Sequence, residues 1–437
     1  MSDGQVPRPV HVVLVIVACA CYAGMLAAEQ RWGGLSIRMV VGVGAVTMAV
    51  AVVVVPRFTT DLWSYTAYGR ALGVHGVSPW TSAPDAFPHD PLLHMVGRTW
   101  RDTPSVYGPV FTLLSAMWAS ISGAGELSAR LFYQGLAAVA VGGGAWLVWR
   151  RTQSAAAVAF LIVHPLVAMY LVNGGRNDIL VGVAMLAAVV LAARGRPGAA
   201  GVVAALGALV KITGVVGIAA LVVTMVGRGE RRAAFRVLAA AGVVLSIGYF
   251  AAGTTALFAP MQTAGALYSR PAAWTMIRVL GLTRPDAHVA LAVLALLVIA
   301  VIVRHARSRA DTAVAGSLGM LSIAAAWTLP GYTAWALPAA ALDHRSRVSR
   351  IVAGAGLDMV ITYEILRHPI AGPAGSALSL IGSVGGPLIL LVFIVLLLRT
   401  PLPIAHKGTH DDRHPPALAD PLARASTADT GRLADAR

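Results

Sequence analysis

Charge is what this 437-residue sequence has least of: Asp, Glu, Lys and Arg together make up 12 %, about half the roughly 25 % of a soluble globular domain. Hydrophobic residues reach 57 % and the mean hydropathy is +0.73. A water-soluble fold is thereby excluded, and a polytopic membrane protein is expected. Cysteine is almost missing. Cys19 and Cys21 sit two apart in the first apolar run, too close for disulfide geometry on a helix, so no disulfide framework or cysteine-based zinc site is available. No GxGxxG or P-loop stands in loop context, which argues against a nucleotide-binding fold.

Acids are scarcer than bases. Five of the nineteen follow Arg399, leaving fourteen in the first 398 positions, and the only lysines among 34 basic residues are Lys211 and Lys407. A formal net charge of +15 would suit a nucleic-acid partner if the bases formed one face. Instead they fall in short clusters between apolar runs: Arg150–Arg151, Arg194/Arg196, Arg228/Arg231/Arg232/Arg236, Arg304/Arg307/Arg309, Arg345/Arg347/Arg350 and Arg399. Such clusters mark cytoplasmic loops, so no nucleic acid is expected and the partner is the lipid bilayer. The intervening segments 56–108, 174–178, 253–286, 328–332 and 367–376 then face outward.

Apolar runs of membrane length cover 11–28, 37–55, 127–149, 154–173, 177–193, 233–252, 288–303, 348–363 and 377–398, each long enough or nearly so for about 30 Å of hydrocarbon. The first lacks a small-residue cleavage site before polar sequence and reads as a retained helix. Two segments fit the side alternation only as hairpins. Residues 198–226 join two basic clusters, yet 29 residues are too few for two full spans; a re-entrant pair of short helices with Lys211 at the tip is expected. Residues 313–342 pose the same problem, with Thr328-Leu-Pro-Gly-Tyr332 as the tip, where Pro and Gly supply the break. Irregular backbone at membrane depth is tolerated where it lines a cavity, so both tips point to one extracytoplasmic cavity. From 109 to 149 an odd number of crossings is required, but 109–122 and 127–149 look like two helices. The expected organisation is a membrane body over 1–398, with an extracytoplasmic loop at 56–108, and a disordered cytoplasmic tail over 399–437.

Intramembrane polar residues are functional candidates by default. Asp61 opens Asp-Leu-Trp-Ser-Tyr65 directly after an apolar helix. It can serve as a general base raised by partial desolvation, or simply cap the amphipathic segment 62–72 together with Thr60. Asn173-Gly-Gly-Arg176-Asn177-Asp178 offers exposed backbone donors and a cation for a phosphate or sugar hydroxyls; a glycine C-cap followed by an Asn/Asp N-cap explains the same residues. Lys211, alone in a long apolar stretch, must snorkel, pair or meet an anion, and a compact point charge suits a phosphate. Asp358 and Glu364 lie six apart on one helix near Arg367 and His368, where structural pairing and catalysis are both open. His89 and His94 with Asp90, and His406, His410 and His414 in the tail, have a superficial metal-ligand look, but no metal is expected to be required.

An outward Asp after an early helix, a Tyr107-Gly-Pro109, the Asn177-Asp178 helix start, Arg194-Gly-Arg-Pro197 leading to Lys211, and Leu329-Pro-Gly-Tyr332-Thr-Ala-Trp335 together resemble the GT-C polyprenol-phosphate-sugar glycosyltransferases. The likeness is strongest to the actinobacterial polyprenol-phosphate-mannose-dependent α-mannosyltransferases of lipomannan and lipoarabinomannan assembly. The resemblance implies an all-α GT-C-like bundle of about 11–13 transmembrane or re-entrant helices. It also implies an inverting transfer of mannose from a polyprenyl-phosphate donor to a hydroxyl of a cell-envelope glycan or glycolipid, at the plasma membrane's outer face. On that footing Asp61 takes the acceptor proton, and Lys211 and Arg176 hold the donor phosphate. Tyr65, Tyr107, Asn177, Asp178, Tyr332 and Trp335 then contact sugar, acceptor or prenyl chain, with no cofactor required. Transfer of arabinose or another pentose, protein O-mannosylation, and a flippase for a lipid-linked sugar are the competing readings; a transporter should show internal repeats.

Overall fold

The computed structural model describes residues 7–266, 268–283 and 285–400. Among them the chain is α-helical without strands, as expected of a polytopic membrane protein, in which helices satisfy every backbone group internally. Five helices are long and apolar enough to cross a membrane by length and composition: Arg8–Trp32, Glu126–Thr152, Arg231–Ala252, Ala287–Arg304 and Gly372–Leu398. Shorter apolar helices, such as Ile37–Val53, Asp178–Ala193 and Ala310–Ala324, pack among them. The tail from 401 onward, expected to be disordered, lies outside the described residues.

The first hairpin forms as anticipated. Helix Pro197–Val210 ends at Lys211, whose backbone is extended, and Gly214–Gly227 begins three residues later. Each arm has 14 residues, about 21 Å of helix and short of a full span. The second hairpin differs. Ala310–Ala324 is helical, but the return arm is a 3-10 turn over Pro330–Trp335 followed by the four-residue helix Leu337–Ala340. Pro330 and Pro338 lack the N–H groups a continuous helix needs. The 3-10 turn lies directly on helix Asp178–Ala193 because Gly182 faces it. A methyl at Gly182 would collide with the Ala334 carbonyl and stand 2.9 Å from Pro338 Cγ. The apolar run 154–173 is also divided: helix Ala155–Ile162 stops before Pro165 and a π-helical turn, Val167–Val172, carries the chain on to Asn173.

The odd crossing between 109 and 149 has a simple origin. Helix Pro109–Ser122 starts where the Gly108 N–H meets the Val210 carbonyl, and it runs alongside Asp61–Gly73. It ends at Gly123, whose carbonyl accepts from Arg70, while Arg130 at the start of Glu126–Thr152 reaches back to the Val53 carbonyl. Both of its ends therefore stay near the loop 74–108, and only the 27-residue helix Glu126–Thr152 is long enough to cross. Helix Asp61–Gly73 is buried on nearly every side rather than amphipathic, because Pro109–Ser122 covers the face that water was expected to take.

Loop 74–108 is knotted around Asp90. Its carboxylate accepts from Arg70 Nε at 2.8 Å, is 2.9 Å from His75 Nε2, and caps the Leu92 amide at 3.0 Å. These partners surround the acid that lies between His89 and His94 in sequence. Burial alone would raise the Asp90 carboxyl, but the bonds from His75, Leu92 and Arg70 outweigh it and hold the group below its ordinary value. A carboxylate depressed by folding contributes stability above its unfolded value of about 3.9, and that stability disappears as pH falls through the lower folded value. Protection factors of the amides across 74–108, taken relative to their intrinsic rates, should thus hold down to about pH 4 and fall below it. In Asp90→Asn the same amides should have lost protection already at neutral pH. Equal protection in both proteins at neutral pH would contradict the assignment.

Candidate active site

The loop ends that the sequence placed on one side do meet. Two carboxylates stand in the first turn of their helices, Asp61 in Asp61–Gly73 and Asp178 in Asp178–Ala193, where the helix dipole favours negative charge. Lys211 stands at the carboxyl end of Pro197–Val210, where the dipole favours a cation. Arg176 bridges the acids: Nη1 is 2.9 Å from Asp61 Oδ2 and Nε is 2.9 Å from Asp178 Oδ2. Lys211 Nζ is 2.9 Å from Asp178 Oδ1, and Trp335 Nε1 donates to that oxygen at 2.8 Å. The result is one chain of alternating charge, Asp61–Arg176–Asp178–Lys211, with two formal charges of each sign.

Exposure divides the chain into ends and middle. The side chains of Asp178 and Arg176 are 0 % and 4 % exposed, whereas Asp61 and Lys211 are each 12 % exposed. Each end opens on its own cavity. Asp61 lines one of about 470 Å³ with Thr59, Thr99, Arg270 and Arg367. Lys211 lines another of about 430 Å³ whose walls, including Val215, Leu291, Leu321, Tyr332 and Trp335, are mostly apolar. Trp100 and Trp327 border both.

The expected contact residues part company here. Tyr332 and Trp335 stack with ring centroids 4.5 Å apart, and Lys211 Nζ lies 4.3 Å and 5.0 Å from their centroids, so both face the cation and the apolar cavity. Tyr65 and Tyr107 do not line either cavity; they are buried edge to face against each other, 4.8 Å between centroids, and against Phe111. Asn177 is buried, with Tyr65 Oη 3.5 Å from its Oδ1. Asp178 is saturated by three donors. Arg176, expected as a phosphate ligand, pairs with the two acids through Nη1 and Nε and lies against Gly331, where a methyl would clash with Nε and sit 2.8 Å from Cζ. It ties the two carboxylates together. Asn173 is structural too: its Nδ2 donates to carbonyls at the end of Ile37–Val53, including Ala51 at 3.1 Å, and its Oδ1 accepts from the Arg57 amide at 3.0 Å.

Sequence reasoning did not find Thr59, Arg270 or Trp327. Trp327 directly precedes the anticipated tip and Arg270 lies in an outward segment, so position was available as a signal, but nothing in their local pattern distinguishes them from neighbours.

Residues 5–227 match the family described as "Alpha-(1->6)-mannopyranosyltransferase, N-terminal domain". The chain belongs to this family. Asp61, Arg176, Asp178 and Lys211 all fall inside the matched stretch; Tyr332 and Trp335 lie beyond it. Similar proteins include alpha-(1->6)-mannopyranosyltransferase A of Mycobacterium tuberculosis, 28 % identical over 200 residues, covering 42 % of this chain and 38 % of the relative. Alpha-(1->6)-mannopyranosyltransferase B of Corynebacterium glutamicum is 25 % identical over 210 residues, covering 43 % of this chain and 35 % of the relative. The matched region thus spans less than two-fifths of the length of either relative.

Because Asp178 is buried between two cations, removing its charge leaves Lys211 without a carboxylate partner and Arg176 with Asp61 alone. Asp178→Asn should lower thermal stability of the detergent-solubilised protein by about 3–5 kcal/mol. Combining it with Lys211→Met should cost less than the sum, with a coupling of about 0.5–3 kcal/mol in a double-mutant cycle. Additive losses would mean that the two side chains do not form a pair.

Proposed function

We propose that the chain is an inverting glycosyltransferase that moves mannose from a polyprenyl-phosphate-mannose donor to a hydroxyl of a cell-envelope glycan or glycolipid. The reaction forms an α-mannosidic bond at the outer face of the plasma membrane. The observation that carries this reading is the charge chain whose two accessible ends open into two cavities of opposite character. The family's name supports mannose as the sugar and α-(1→6) as the linkage, and the arginine clusters on the loops that alternate with the site-bearing ones support an extracytoplasmic site.

In this reading the apolar cavity takes the first part of the prenyl chain, with Tyr332 and Trp335 against it and Lys211 at the phosphate. The polar cavity takes the acceptor. An acceptor hydroxyl attacks the anomeric carbon as the bond from that carbon to the phosphate oxygen breaks, and Asp61 receives the hydroxyl proton. Charge then balances without a cofactor. The donor phosphodiester carries one negative charge and the departing lipid phosphate a second. As Asp61 is neutralised, the four-residue chain passes from net zero to net +1, so a cationic excess develops in step with the leaving group's charge, in a site too dry to supply it from water. Lys211 can turn to the phosphate because Asp178 keeps Arg176 and Trp335 as partners.

Asp61→Asn preserves shape and removes the base. Transfer from polyprenyl-phosphate-mannose in membranes carrying the variant should fall about 10²–10⁴-fold at unchanged protein level, and wild-type-like transfer would eliminate Asp61 from the role. Lys211→Met should reduce turnover about 10²–10³-fold, in the range of losing one charge-stabilising donor. Unaltered kinetics in that variant would leave Lys211 as a partner of Asp178 only.

A further inference from the structure

A second constellation of titratable side chains lies outside the charge chain. His11 stands near the start of helix Arg8–Trp32, while Glu364 and His368 lie four apart at the end of helix Arg347–Arg367. His11 Nε2 is 2.7 Å and His368 Nδ1 is 3.2 Å from the same oxygen, Glu364 Oε2, and the three donor atoms all fall within 4.8 Å of one another. Nothing in the transfer reaction uses them.

We propose that His11 Nε2, Glu364 Oε2 and His368 Nδ1 bind a divalent cation of the zinc class. Two imidazoles and one carboxylate form a borderline-soft donor set that suits zinc and disfavours calcium or magnesium, which take oxygen. Tetrahedral zinc with bonds of about 2.0–2.1 Å sets its donors about 3.3 Å apart. The pair Glu364–His368 has nearly that spacing at 3.2 Å, His11 must withdraw from the carboxylate by about 0.6 Å, and the two imidazole nitrogens, which lie within 4.8 Å of one another, must settle at the same separation. The carboxylate is oriented from behind, because Tyr170 Oη donates to Glu364 Oε1, the kind of support metal-bound carboxylates have. Access is one-sided. Glu364 is fully buried while the side chains of His11 and His368 are 23 % and 28 % exposed, leaving the fourth position to water.

The cation acts as a clip and takes no part in catalysis. It ties the first helix to one 353 positions away, and the clipped helix end supplies Tyr363, Leu366 and Arg367 to the polar cavity beside Asp61. Arg367 donates to the Phe58 carbonyl.

The test uses the full-length protein in detergent, stripped with a chelator and titrated with Zn²⁺, and separately with Co²⁺ as a spectroscopic probe. Wild type should bind one equivalent more than His11→Gln or His368→Gln; imidazoles elsewhere, including those of the tail, cancel in this difference. Co²⁺ should give intense visible bands of low coordination number in wild type that each variant loses, and Zn²⁺ should raise the melting temperature of wild type only. Equal stoichiometry in wild type and variants, or a wild-type Co²⁺ spectrum no different from the aqueous ion, overturns the proposal. Should either variant fail to fold, the wild-type spectrum decides alone. None of these readouts depends on transferase activity.

Discussion

A guanidinium enclosed by two carboxylates, in a chain of which only 12 % is charged, constrains everything around it. Taking one such ion out of water costs several kcal/mol even after relaxation, and the cost is recovered only when every charge has a partner at hydrogen-bond distance. Arg176 and Asp178 are fully withdrawn, so Asp61 and Lys211 must stand within reach of them. This fixes where four helix ends lie. The ends are those of Asp61–Gly73, Asp178–Ala193, Pro197–Val210 and, through Trp335, the turn after Ala310–Ala324. The break at Lys211 and the glycine at 182 are requirements of that meeting, since a straight helix or a methyl group would hold the partners apart.

The same constraint decides which groups remain for chemistry. A buried ion with all its partners satisfied is poorly placed to bind a substrate, because each new contact must first break an old one. Arg176 is tied through Nη1 and Nε, and Asp178, with three donors, is in that position. Asp61 and Lys211, each bonded on one side and facing a cavity on the other, are not. The middle of the chain therefore acts through its ends, holding one carboxylate and one ammonium at fixed positions and coupling their charges.

Much of this was legible in the residues. The scarcity of acids and lysines singled out Asp61, Asp178 and Lys211, and the alternation of arginine clusters placed their loops on one side, since both signals follow from the energetics of charge in hydrocarbon. The division of labour was not legible. Arg176 reads as a free cation until its two partners are located, and they come from positions 61 and 178. Tyr65 and Tyr107 read as platforms for a sugar because aromatic residues next to an acid look the same in sequence whether they face a cavity or Phe111. The short helix Pro109–Ser122 was ambiguous for a related reason: its apolar surface is matched to Asp61–Gly73, and apolar residues that cover another helix have the same composition as residues that meet lipid.

Trp100 and Trp327 are shared by the two cavities. Under the transferase reading the wall between the cavities has two opposed tasks. It must open far enough for one sugar to reach the other chain's hydroxyl, and stay dry enough that water does not replace that hydroxyl as nucleophile. Indole suits the position: its flat apolar face excludes water from a narrow gap, and its single N–H leaves little polar surface to hydrate. On the polar side, Asp61 lines its cavity together with Thr59 and Thr99. Under that reading, selectivity for transfer over hydrolysis follows from what the wall keeps out, with the proposed base and cation on either side of it.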